Sequence, residues 1–221
     1  MNGICYIIGA SLVDEMTLEP TEHDYVIAAD AGYLYLSTLA VVADLVVGDF
    51  DSMNHKPNHP NIVEHPAEKD ETDMLLAVSE GLRRGYKTFV ILGGLGGRLD
   101  HTFANIQTLA YIASKNARGY LVGGGTAVTV IHNGSMRFDA DKSGVVSVFC
   151  AGDTARGVTL KGLKYPLLNA EINNLQSIGV SNEFTGVPSE ISVLHGSLVI
   201  MWKDRAANVI DSLKETAGAT V

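Results

Sequence analysis

The sequence predicts an α/β plus all-β chain: an N-terminal, mostly parallel sheet with helices on both faces, then a C-terminal β-sandwich. Three observations carry this expectation. Up to about residue 115, short apolar runs alternate with stretches of helical spacing, the pattern of a parallel sheet covered by crossover helices. The triplet Gly123-Gly124-Gly125 then interrupts the pattern. Beyond it, short β-prone runs follow one another with turn signals between them. The expected division is residues 1–122 and 123–221.

In chain order, residues 3–8, 25–29, 45–47, 62–65 and 88–92 read as strands, most of them bounded by Gly, Asp or Pro. Residues 32–39 and 72–84 have helical spacing, with Leu75, Val78 and Leu82 on one face of the second. A third helix is predicted over 99–115, with Phe103, Ile106, Ala110 and Ala113 inward and Arg98, His101 and Asn105 on the opposite face. The second half gives strands at 127–132, 145–149, 157–160, 177–181, 190–194 and 197–202, with Trp202 packed in the sandwich. Asn133-Gly134 and His195-Gly196 read as hairpin turns. A tail over 204–215 has helical character.

Of the 221 residues, 46% are hydrophobic and 19% charged, enough apolar material for a large core and too much for a disordered chain. No apolar run reaches the roughly 18 residues that a membrane helix needs. The N-terminus has no basic leader before its apolar run and reads as a first strand, not a signal peptide. With only Cys5 and Cys150 present, a disulfide framework is not expected and the cytoplasm is the expected compartment. The net charge of −9 is uneven: residues 1–110 carry −10 and residues 111–221 carry +1. An acidic half argues against nucleic-acid binding, which needs a basic surface, and suits a site that gathers divalent cations or a cationic ligand.

Three runs in that half could carry chemistry. Gly48-Asp49-Phe50-Asp51-Ser52 follows an apolar strand, and ligands of open parallel sheets bind beyond the carboxyl ends of strands. Two carboxylates one residue apart on a turn can converge on one hard cation. Lys69-Asp70-Glu71-Thr72-Asp73 opens a helix, where Asp70 or Thr72 can serve simply as a cap. If both loops lie on one sheet edge, Asp49, Asp51, Asp70 and Asp73 surround one cleft, with Asp30 at the end of a neighbouring strand. Such a cluster is costly unless a cation neutralises it. Gly93-Gly94-Leu95-Gly96-Gly97-Arg98-Leu99-Asp100-His101 also runs from a strand into a helix. Its glycines let the backbone approach phosphates, and Arg98 offers a fork of donors. It fits neither the dinucleotide fingerprint nor the P-loop, because Leu99 holds the third glycine position and no Gly-Lys-Ser/Thr follows. In the β half, Gly162-Leu163-Lys164-Tyr165 and Ser181-Asn182-Glu183 place an aromatic beside polar groups, a means of holding a flat cationic heterocycle.

In this order, the five runs resemble the thiamin pyrophosphokinase family, over most of the chain. The resemblance implies an α/β domain, a β-sandwich, and a homodimer with active sites between subunits. It implies Mg²⁺-dependent transfer of pyrophosphate from ATP to the hydroxyl of thiamin, giving thiamin diphosphate and AMP. On the matching positions, Asp30, Asp49, Asp51, Asp70 and Asp73 would be catalytic, the last four as metal ligands. Ser52, Thr72, Arg98, Asp100, His101, Asn105, Tyr165, Ser181 and Asn182 would bind substrates. Tyr165 stands where the family can carry Trp. Asp73 or Asp100 could accept the hydroxyl proton. Two other readings stay open: an aspartate-nucleophile phosphohydrolase, suggested by Asp49-Phe50-Asp51 although Met53 replaces its usual Thr or Val, and a non-enzymatic nucleotide or thiamin sensor.

Overall fold

The computed structural model describes residues 3–11, 18–51, 56–66, 68 and 70–218. In chain order the elements are β1 (Ile4–Ile8), β2 (Tyr25–Ala29), a 3₁₀ helix (Asp30–Tyr35), β3 (Leu45–Gly48), β4 (Ile62–Glu64), α1 (Asp73–Arg83), β5 (Thr88–Leu92), α2 (Leu99–Ser114) and β6 (Arg118–Gly123). They continue as β7 (Thr126–His132), β8 (Ser135–Phe138), β9 (Val145–Cys150), β10 (Thr154–Lys161), β11 (Leu167–Asn173), β12 (Gly179–Glu183), β13 (Ser189–Ser192), β14 (Ser197–Lys203) and α3 (Ala206–Gly218).

β1 is buried at every position, as expected of a central parallel strand with both faces covered. It lies between β5 and β2 in a ten-stranded sheet ordered β12-β9-β14-β7-β6-β5-β1-β2-β3-β4. Pairing is parallel from β6 to β4 and antiparallel from β6 to β12. A four-stranded antiparallel sheet, β11-β10-β13-β8, forms the second layer of the sandwich. α1 and α2 cover one face of the large sheet: Met74, Ala77, Val78, Leu109 and Ile112 pack with Cys5, Ile7, Phe89 and Ile91. Leu36 and Leu39, α3 and the small sheet share the other face, where Tyr6 and Ile8 join one cluster with Val209, Ile210, Phe138 and Trp202.

The expected strands stand within a few residues of their positions, β6, β8 and β11 are strands that the sequence pattern does not predict, and three further details differ. The glycine triplet is a hairpin: β6 and β7 pair across Gly124 and Gly125, both at positive φ, so the large sheet runs unbroken from the parallel to the antiparallel part. Asn133-Gly134 and His195-Gly196 are not hairpin turns. They pass the chain between the two sheets and bond to each other, Asn133 N donating to Gly196 O (3.0 Å) and Gly196 N to Asn133 Oδ1 (2.8 Å). The predicted helix over 32–39 is a 3₁₀ helix over Asp30–Tyr35 followed by turns.

α2 keeps part of its predicted face, with Ala113 buried and Ile106 and Ala110 partly buried against the core, but turns away from Phe103. Asn105, Thr108, Leu109, Ile112 and Ala113 are buried, whereas Phe103 is 63% exposed. Helical spacing counted through Ile106, Ala110 and Ala113 includes Phe103 at its edge. The packed face instead follows the small residues that let the helix approach the sheet: Gly119 lies so close that a Cβ there would sit 2.8 Å from Leu109 Cδ2 and Ile112 Cδ1.

Candidate active site

The parallel strands end on one edge, and the strand order reverses between β5 and β1. Open α/β sheets place ligands in the crevice at such a switch point. Here Gly9 N donates to Leu92 O (2.7 Å) and Ser11 N to Gly93 O (2.8 Å), tying the two diverging chains together. A cavity of about 650 Å³ opens above them, of the size that holds a nucleotide-like ligand. It is lined by Gly9–Ser11 after β1, Asp30 after β2, Thr72 and Asp73 at the start of α1, and Gly93, Gly97, Arg98, His101 and Asn105 around the start of α2.

Six of the residues singled out from the sequence therefore meet in one cavity: Asp30, Thr72, Asp73, Arg98, His101 and Asn105. Asp30 has φ +47°, a left-handed conformation that costs a non-glycine residue roughly 1–2 kcal/mol and concentrates at functional sites. Gly48 of β3 packs directly on it, since a Cβ at Gly48 would lie 3.0 Å from Asp30 Cα. That contact brings the Asp49–Asp51 loop against the Asp30 loop. Between the two acids, buried Phe50 has φ +62°. Asp49 Oδ1 accepts from Asp51 N (3.1 Å), and Asp51 is exposed. Thr72 caps α1, its Oγ1 accepting from Leu75 N (3.2 Å), and Asp73 follows in the first turn, where a carboxylate is favourable. Asp70 is exposed before the helix, and Ser52 lies outside the described residues.

The glycine turn is held from below. Buried Asn105 donates from Nδ2 to Gly94 O (2.8 Å), so the residue expected on a solvated face braces the loop from inside. Arg98 forks onto Asp100, Nη2 to Oδ2 at 2.7 Å and Nε to Oδ1 at 3.2 Å. Arg98 holds the Asp100 carboxyl below the ordinary carboxylate range, and the amide of His101 adds to this. The pair is well exposed, so an incoming phosphate can take over the Arg98 donors at little cost. The sequence reading missed Gly9, Ser11 and Tyr35 as lining residues. The small residues Gly9-Ala10-Ser11 directly after an all-apolar strand were the available signal.

Among the described residues, no group of three or more His, Cys, Asp or Glu side chains could hold a metal ion. The carboxylates share an edge without forming a closed cage. This donor set still suits Mg²⁺, which takes one or two carboxylates together with substrate phosphates and water.

The β half holds its candidates differently. Tyr165 is 58% exposed, in the connection between β10 and β11. Asn182, only 2% exposed, accepts from Tyr165 N (2.9 Å) and Glu183 N (2.9 Å) and donates to Tyr165 O (2.7 Å). The amide expected to meet a ligand is thus bonded to the Tyr165 main chain. Ser181, at φ +56°, donates its N–H to Ser147 Oγ (3.1 Å). Lys164 Nζ lies 5.6 Å from the Tyr165 ring centroid and 2.7 Å from Glu183 Oε1. None of Tyr165, Ser181 and Asn182 lines the 650 Å³ cavity.

Comparison with known proteins matches this architecture. The chain is similar to the thiamine pyrophosphokinase of Bacillus subtilis (strain 168), with 27% identity over 198 residues, 86% of this chain and 92% of the relative. It superposes on the crystal structure of a thiamine pyrophosphokinase from Bacillus subtilis with a TM-score of 0.79 at 25% identity, covering 91% of this chain and 99% of that one. The enzyme from Geobacillus thermodenitrificans gives 0.75 at 27% identity, over 92% of this chain and 99% of that one. Residues 18–121, which hold the strand-edge cavity's acids and its glycine turn, match the thiamin pyrophosphokinase catalytic domain, and residues 135–198, which hold Tyr165 and Asn182, match the thiamin pyrophosphokinase vitamin B1 binding domain. With both domains present in order, the chain belongs to the thiamin pyrophosphokinase family.

Proposed function

We propose that this chain transfers a pyrophosphoryl group from ATP to the hydroxyl of thiamin, giving thiamin diphosphate and AMP. The observation that carries the reading is the convergence of Asp30, Asp73, Arg98 and the glycine turn in one cavity at the sheet's switch point, within the stretch that matches the family's catalytic domain. The thiamin oxygen attacks the β-phosphorus, the bond from that phosphorus to the oxygen bridging it to the α-phosphate breaks, AMP leaves, and the hydroxyl proton passes to a base. Phosphoryl transfer of this kind depends mostly on positioning and charge stabilisation. Mg²⁺, when bound, would neutralise charge on the phosphates. Asp49, Asp51, Asp70 and Asp73 would supply its carboxylates, and Asp30 stands beside them. Arg98 and the amides of the glycine turn and the α2 N-terminus would hold phosphate oxygens, with Thr72, His101 and Asn105 around them, and Ser52, outside the described residues, remains a candidate contact from its place in the sequence. The candidates for that base are Asp73 and Asp100, and each would accept weakly beside its cation, Mg²⁺ for Asp73 and Arg98 for Asp100.

In this reading residues 1–122 handle ATP and metal and residues 123–221 bind thiamin, with Tyr165 stacking on the cationic thiazolium. The absence of Tyr165 from the cavity lining supports a homodimer in which each cavity is completed by a second copy. ATP use and the two free cysteines suit the cytoplasm, and no helix among the described residues is long and apolar enough to cross a membrane. Incubation of the purified chain with ATP, Mg²⁺ and thiamin tests the reaction. AMP should form only when thiamin is present. Free phosphate without thiamin dependence would point to a phosphohydrolase, and binding without turnover to a sensor. Mixing Asp51→Asn chains with chains altered at Ser181 tests the shared site: heterodimers should regain up to about half of the activity, and no regain would argue for sites built within one chain.

A further inference from the structure

We infer that Asn182 is a positioning residue for thiamin recognition, acting through Tyr165 and not by touching the substrate; the inference rests on the reading of Tyr165 as the stacking ring. An exposed aromatic in a loop is a poor platform unless its main chain is fixed, because ring direction follows the backbone. Here one side chain fixes it. Asn182 takes both main-chain polar groups of Tyr165, N–H and C=O, at 2.9 and 2.7 Å. The second acceptor site of Oδ1 is filled by Glu183 N at 2.9 Å. At 2% exposure, the amide has no face left toward a ligand.

The strand that carries Asn182 is shaped for this. The pairing of β12 with β9 shifts register between Gly179 and Asn182, and Ser181 in the break adopts φ +56°. A bulge of this kind re-aims the next side chain, and here that side chain is Asn182. Its neighbours continue the attachment. Lys164 N donates to Glu183 O (3.0 Å), Lys164 Nζ pairs with Glu183 Oε1 (2.7 Å), and Leu163 bridges to Phe184. Residues 163–165 thus lie along the end of β12 as a short extra strand, and the Asn182 amide replaces the main-chain partner that Tyr165 lacks. Only an amide of this length supplies donor and acceptor together: Asp keeps the acceptors and loses the donor, and Ala loses all three bonds.

Steady-state kinetics of Asn182→Ala, Tyr165→Ala and the double variant, with separate thiamin and ATP titrations, test this. Asn182→Ala should raise the thiamin KM about tenfold while the ATP KM changes less than about twofold, the pattern of a lost positioning contact. In the Tyr165→Ala background the same change should add less than about twofold, because its effect passes through the ring already removed. Asn182→Asp, which keeps the acceptors but sets a buried carboxylate oxygen against Tyr165 O, should give a rise of the same kind at least as large, with a thermal melt of each variant checking that it is folded. Multiplicative effects in the double variant would make Asn182 a direct ligand and overturn the inference. So would an unchanged thiamin KM in Asn182→Ala and Asn182→Asp alongside a raised one in Tyr165→Ala. An unchanged thiamin KM in Tyr165→Ala itself would instead remove the stacking reading on which the inference rests.

Discussion

At the parallel edge, side chains reach the cavity because main-chain elements end there: Asp30 follows β2, Asp73 opens α1 and Arg98 precedes α2, while Asp49 follows β3 on the same edge without lining the cavity. At the sandwich rim, Tyr165 is presented by a connection whose course is imposed by a side chain on a different strand, 17 residues away. The first arrangement is built from local geometry and repeated elements, so loss of one side chain leaves the frame standing. The second hangs on long-range bonds, so loss of one side chain changes the direction of another. Variants at the first should therefore affect turnover, and variants at the second should affect recognition.

The largest effect is expected at the edge. Asp73→Asn or Asp51→Asn should lower kcat by about two orders of magnitude or more, with thermal stability little changed; near-normal turnover at saturating Mg²⁺ would break the assignment. The next largest concerns the helix that joins the halves. Asp204, just before α3, accepts from Arg205 N, Asn208 Nδ2, Lys142 Nζ and Trp202 Nε1. Its side chain is 6% exposed. Asp204→Ala should cost about 2–4 kcal/mol in denaturant unfolding, and a loss under 0.5 kcal/mol, within the range of about ±0.5 kcal/mol of ordinary surface changes, would show the network to be idle. Burial raises the Asp204 carboxyl, but bonds from Lys142, Asn208 and Trp202 outweigh it and hold it below the ordinary value. A lowered folded pKa stabilises above the unfolded value of about 3.9 and ceases to do so as pH falls through the folded value. The gap between wild type and Asp204→Ala should therefore narrow in unfolding experiments as pH drops below about 4.

At the rim, Tyr165→Ala should raise the thiamin KM several-fold to about thirty-fold with little change for ATP, and Tyr165→Trp should preserve or tighten binding, because Trp offers the stronger ring face. A shift confined to the ATP KM would place Tyr165 on the wrong side of the comparison. The smallest effect is expected at Phe103, which is 63% exposed. Phe103→Ser should change stability by less than about 0.5 kcal/mol, whereas Leu109→Ala, in the packed face, should cost about 2–5 kcal/mol.

The same contrast explains how much could be read in the sequence. Strand ends and helix starts leave local marks, so the Gly48–Asp51 turn, the Thr72–Asp73 helix start and the Gly93–Arg98 run were legible as one edge. Spacing alone groups Asn105 with Arg98 and His101, which it joins at the cavity, but gives no sign that its side chain is buried there. The tie between Asn182 and Tyr165 leaves no local mark, since a buried amide and a solvent-facing one look alike in sequence. Asn133-Gly134 reads as a hairpin turn for a related reason: the positive φ it supplies serves equally to pass a chain from one sheet to the other.

The central claim, that the edge performs the transfer and the rim recognises thiamin, is tested most directly by thiamin binding without turnover. Calorimetric titration of thiamin into Asp73→Asn and into Tyr165→Ala, both folded and in the same buffer, separates the two roles. The account predicts near-native thiamin affinity in Asp73→Asn and affinity weakened several-fold or more in Tyr165→Ala. Weakened binding in Asp73→Asn with native binding in Tyr165→Ala would contradict it.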